Sequence, residues 1–127
     1  MLAVIFEVWP KDEGRDDYFA TAADLKPLLQ DVDGFISVER FQSLMDPKKV
    51  LSVSFWRDEE ALAAWRRVAE HRIAQADGRD RLFKDYRLRV ASVVRDYGMT
   101  QRDEAPADSR AAHDKVAPFA ALTLGED

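Results

Sequence analysis

The chain contains no cysteine, which excludes disulfides, cysteine-ligated zinc, iron–sulfur clusters and thiol nucleophiles. Histidine is almost as scarce: His71 and His113 share no HxH or HxxxH spacing, so the sequence offers no dedicated protein metal site. No apolar run approaches the roughly 20 residues that span a bilayer. The start, Met1-Leu-Ala-Val-Ile-Phe-Glu7, lacks a basic region and carries an acid too early for a signal peptide. A cytoplasmic protein with no membrane partner is therefore expected. The net charge of −5 provides no general attraction for nucleic acid, whose binding rests on clustered Lys and Arg. Arginines do gather in the second half, at 66, 67, 72, 79, 81, 87, 89 and 95, but they alternate with Asp and Glu. They read as a solvated face of mixed ion pairs.

What is present is enough apolar material for one core. Hydrophobic residues make up 46% of 127 positions, with only five glycines and five prolines, as in one globular domain. Residues 2–9 are β-rich and end at Pro10, giving a first strand followed by a loop over 11–14. Tyr18, Phe19, Ala22, Leu25, Leu28 and Leu29 recur at helical spacing, with Pro27 expected to kink or shorten the last turn. After Asp33-Gly34, residues 35–44 alternate as a second strand, Phe35, Ser37, Glu39, Phe41 and Ser43 on one side and Ile36, Val38, Arg40, Gln42 and Leu44 on the other. A turn over 45–49 leads antiparallel into a third strand over 50–56.

Asp58 is placed to cap a second helix, with Glu59 and Glu60 in its first turn complementing the helix dipole. Leu62, Trp65, Ala69 and Ile73 form its apolar stripe, with Val68 on the flank. His71 lies about 120° from the stripe centre at about 100° per residue, beside Ala64 and Val68. Asp77-Gly78 ends the helix, a short helical turn covers 80–84, and 85–96 alternates as a last strand.

The order β-α-β-β-α-β predicts an α+β, ferredoxin-like fold: a four-stranded antiparallel sheet with both helices on one face. The other face needs a cover, and pairing with a second copy supplies it, so a homodimer is expected. The expected division is a domain over 1–98 and a C-terminal arm over 99–127, polar at first and ending in an apolar docking segment over 116–124.

The segments Val4-Ile-Phe-Glu-Val8, Gly34-Phe35, Ser54-Phe-Trp-Arg-Asp-Glu-Glu60, Trp65, His71 and Asp85-Tyr-Arg-Leu-Arg-Val90 occur in an order and spacing that resembles the antibiotic biosynthesis monooxygenase domain family over about residues 2–98. The resemblance implies a dimeric α+β barrel with a cavity in each subunit between sheet and helices. It also implies oxidation of an aromatic phenol or quinol by O2 without a metal or flavin. On that reading the substrate is held as an electron-rich anion in a dry pocket until a C–O bond forms. Trp65 would be a wall for the ring, His71 a proton acceptor or donor, and Glu7, inward beside Ala3 and Ile5, a desolvated base. Phe6, Val68, Phe83, Tyr86 and Arg87 are the expected substrate contacts, although Tyr86 and Arg87, as strand neighbours, point to opposite sides.

Two other readings stand beside this one. Some members of the family degrade haem, using a His and a Trp associated with the second helix and an Asn on the first strand. This chain contains no Asn; Phe6 and Glu7 stand near the matching position, so haem degradation is the lesser expectation, while haem binding stays compatible with the sequence. The third reading is a non-catalytic dimer that binds a small hydrophobic ligand, since a fold alone establishes no chemistry. A cavity reached by His71 would favour the oxygenase, and one filled by Trp65 and Phe83 the binding module.

Overall fold

The computed structural model describes residues 1–75 and 79–114. Four strands, β1 (Leu2–Pro10), β2 (Phe35–Gln42), β3 (Val50–Trp56) and β4 (Phe83–Ser92), form one antiparallel sheet in the order β2-β3-β1-β4. The helices α1 (Arg15–Gln30) and α2 (Glu59–Gln75) connect them as the ferredoxin-like fold requires, and a one-turn α3 (Arg79–Leu82) precedes β4. The chain divides into two compact units, the first being Met1–Ser92 and the second beginning at Val93. No helix among the described residues is long and apolar enough to cross a membrane.

Period-two patterning assigns each strand residue to a face. Leu2, Val4, Phe6 and Val8 of β1 point to the helices, where Val4 joins Leu29 of α1, Trp56 of β3 and Ala61 and Leu62 of α2 in a buried cluster. A second cluster joins Val8, Tyr18 and Val50, with Phe6 and Phe83 packed against it. Trp56 is 1% exposed; its indole N–H donates to Ser54 Oγ at 2.9 Å, so the deepest aromatic leaves no unpaired donor.

Three local features differ from expectation. Pro27 neither ends nor shortens α1, which continues to Gln30. Pro27 and Ala23, whose carbonyl loses its partner to the missing N–H, are both exposed, and Leu29 beyond them is buried, so packing holds the last turn. In β2 a register shift between Phe35 and Ser37 moves Phe35 to the helix side with Val38, while Ser37, Glu39 and Phe41 stay on the other. The polar stretch after residue 98 contains a helix, α4 (Ala107–His113), that its weak periodicity concealed. Within the second unit Arg102 organises the chain: it donates to Asp114 Oδ1 at 2.6 Å, Ser109 Oγ at 2.7 Å and the Gly98 carbonyl at 3.1 Å, and stands over the Tyr97 ring. The apolar segment 116–124 and the break at Asp77-Gly78 lie outside the described residues.

Asp58 caps α2 as its sequence position requires, accepting from the Ala61 N–H at 3.0 Å. That bond, followed by one from Arg57, holds the Asp58 carboxyl below the usual carboxylate range. The turn before β2 needs Gly34: its φ is +93°, and a Cβ there would stand 2.7 Å from Ala61 Cβ. This close approach sets the start of α2 against the start of β2.

Candidate active site

Phe6 on β1 and Tyr86 on β4 point to the helix side, and their rings lie 5.5 Å apart. Phe83, at the start of β4, meets Phe6 edge-on at 6.1 Å and Tyr86 at 5.4 Å. Tyr18, from the first turns of α1, closes the group against Phe83 at 5.7 Å. The register explains the convergence: Phe6 pairs with Leu88 and Val8 with Tyr86, so these side chains share one face by construction. The cluster opens along β4, where Tyr86, Leu88 and Val90 remain 37%, 51% and 47% exposed on that same face. A half-open wall of aromatic and aliphatic groups suits a small, flat, apolar molecule.

Of the residues singled out from sequence, the structure brings together Phe6, Phe83 and Tyr86. Trp65 belongs to a different group: its ring stacks on Trp56, with centroids 6.2 Å apart and planes 28° apart, beside the buried cluster at the other end of the sheet. Val68 is half-buried on α2, and His71 is exposed. Glu7 and Arg87 pair across β1 and β4 on the face away from the helices. Tyr18 joins the cluster although its helical spacing assigns it to the core; its ring contact with a residue 65 positions later carries no local signal.

The second sheet face has a different character. Ile5, Leu51, Val53 and Phe55 are half-buried there, and Phe41 is 44% exposed. Among them Glu7, its side chain 26% exposed, forms an ion pair with Lys49 at 3.4 Å and accepts a hydrogen bond from Arg89 at 3.3 Å. Lys49 also stands 5.1 Å from the centre of the Trp9 ring, whose indole N–H donates to Asp46 Oδ2 at 3.0 Å. The Trp9 bond, then the Lys48 backbone N–H, hold the Asp46 carboxyl below its ordinary value. Glu7, Phe41, Gln42, Ser43, Lys49 and Leu51 line a shallow open depression on this face. No group of three or more His, Cys, Asp or Glu placed to hold a metal ion occurs among the described residues.

Comparison with known proteins adds to this geometry. Residues 1–77 match the profile of the family "Antibiotic biosynthesis monooxygenase". A protein of Pyricularia oryzae named jasmonate monooxygenase ABM is 42% identical over 125 residues, covering 98% of this chain; the chain spans 58% of that protein's length. Among solved structures, Rv0793 from Mycobacterium tuberculosis is similar with a TM-score of 0.66 and 19% identity, over 76% of this chain and 98% of that one. SnoaB from Streptomyces nogalater, a cofactor-independent oxygenase solved as its N63A mutant, is similar with a TM-score of 0.62 and 7% identity, over 75% of this chain and 94% of its own. At these identities the two structures speak for the fold.

Proposed function

Since this chain belongs to the antibiotic biosynthesis monooxygenase family, we propose that it is a monooxygenase that oxidises a small ring compound with O2 and no cofactor, the expected substrate being a phenol or quinol. The observation that carries the proposal is the half-open aromatic cluster of Phe6, Phe83 and Tyr86 on the helix side. Such substrates supply their own electrons. In an anthrone-type phenol, loss of the hydroxyl proton gives an anion that passes one electron to O2, and the radical pair joins as a C–O bond. Loss of water then leaves a carbonyl, so CH2 and O2 become C=O and H2O with no outside reductant. Phe6 and Phe83 hold the ring and keep water from the radical pair, with the partly exposed Tyr86 ring beside them. The name of the 42% identical relative supports the oxygenase reading and puts jasmonic acid on the list of compounds to test.

The face bearing Ile5, Val53 and Phe55 is covered, in this reading, by a second copy of the chain, because one sheet layer cannot bury apolar groups on both sides alone. Haem does not fit the residues present: His71 is exposed on α2 and the chain has no asparagine, so no step passes through haem.

One observation favours a second reading, a non-catalytic ligand-binding module. His71 is exposed, and the rings of Phe6, Phe83 and Tyr86 pack on one another. Oxygen uptake by metal-free protein decides between the two, measured with anthrone, a set of quinols and jasmonic acid and corrected for autoxidation. The oxygenase predicts uptake that saturates with one of these compounds and matches product one to one. Uptake no greater than autoxidation with all of them gives the binding module.

A further inference from the structure

Tyr18 is 5% exposed, wedged between Phe19 at 5.1 Å and Phe83 at 5.7 Å and packed on Val8 and Val50. Among the described residues no hydrogen bond is made to its hydroxyl. A buried phenol ordinarily finds a partner, and a hydroxyl left without one destabilises the folded protein where phenylalanine would not. Packing alone therefore accounts for an aromatic ring at this position but not for its oxygen. The ring lies one neighbour away from the opening of the cluster, since Phe83 touches Tyr18 on one side and Phe6 and the 37% exposed Tyr86 on the other.

We propose that the Tyr18 hydroxyl is a substrate-binding group that donates a hydrogen bond to a ring oxygen of the ligand. The inference rests on the helix-side cluster being the substrate site, and it narrows the ligand to a flat apolar ring with an oxygen at one edge. A hydrogen bond to an ionised oxygen is roughly twice as strong as one to a neutral oxygen. The same contact that orients a phenol thus favours its phenolate, the form that gives an electron to O2.

The test is Tyr18→Phe, which keeps the ring and removes one oxygen. Binding of 2-naphthol and of naphthalene to wild type and variant is followed by quenching of intrinsic fluorescence, and thermal unfolding of each ligand-free protein is recorded alongside. Wild type is expected to prefer 2-naphthol by roughly fivefold to tenfold, the worth of one net hydrogen bond. The variant should bind naphthalene unchanged, lose that preference to within about twofold, and unfold at an equal or higher temperature. A preference that survives in the variant overturns the inference. So does a variant that unfolds several degrees lower, because the hydroxyl then has a structural partner, or a wild type that binds neither compound. Oxygen uptake separates this inference from the one it rests on. Uptake without any effect of Tyr18→Phe removes the Tyr18 role alone, whereas a Tyr18-dependent preference without uptake keeps the binding site and removes the oxygenase.

Discussion

The two faces of the sheet are built from alternate residues of the same strands and do different things. Phe6 and Glu7 are neighbours in β1, yet Phe6 joins an aromatic cluster under the helices while Glu7 sits between Lys49 and Arg89 on the opposite side. Trp56 and Phe55 divide likewise, the first 1% exposed in the core and the second half-buried on the open face. The aromatic cluster on the helix side is built of uncharged rings; the open side interleaves apolar groups with ion pairs. On the proposed function, the first would hold a dry site for a radical reaction and the second a self-complementary contact, where apolar groups gain burial and charges set register.

Of single substitutions on the helix side, Trp56→Ala should have the largest effect. It removes the largest fully buried side chain and the surface on which Trp65 stacks, and is expected to cost about 3–5 kcal/mol in denaturant unfolding. Phe55→Ala, one residue away, should cost markedly less in dilute protein and more as concentration rises, if a second copy covers it. Val53→Asp places a charge in the middle of that cover and should turn a dimer into a monomer by sedimentation velocity; a wild type that is itself monomeric removes the dimer from the account. Glu7→Gln should cost no more than about 1 kcal/mol in dilute protein, where its ion pairs are partly exposed, and should leave activity within about twofold.

The smallest effect is one of pH. Asp46 and Asp58 have folded-state values below their unfolded ones, so each stabilises the protein above the unfolded value and loses that effect as pH falls through the folded one. Stability should therefore decline below about pH 4. Asp58→Ala, which removes the α2 cap, should lower the midpoint of thermal unfolding by a few degrees at neutral pH and flatten the acid limb.

Much of the fold was legible in the sequence because it rests on local patterns. The strand over 50–56, the Asp58 cap and the order of elements all follow from periodicity and capping within a few residues. Structure and local pattern part where a tertiary contact outweighs a local rule: Pro27 is carried through by Leu29, and one extra residue near Ile36 turns Phe35 to the helices. The site was less legible. Phe6, Phe83 and Tyr86 meet because of the β1–β4 register, which no short window reveals, and Tyr18 reaches them from α1. Trp65 and His71, the conspicuous residues of α2, stand apart from that cluster: one stacks on Trp56 and the other is exposed.

Oxygen uptake by wild type, Phe6→Ala and Glu7→Gln, run side by side on the best substrate, decides which face of the sheet carries the reaction. The account predicts at least a tenfold loss of kcat/KM for Phe6→Ala, about 1.4 kcal/mol or more of lost stabilisation, with Glu7→Gln close to wild type. A loss confined to Glu7→Gln, with Phe6→Ala unaffected, would place the chemistry on the opposite face of the sheet and contradict it.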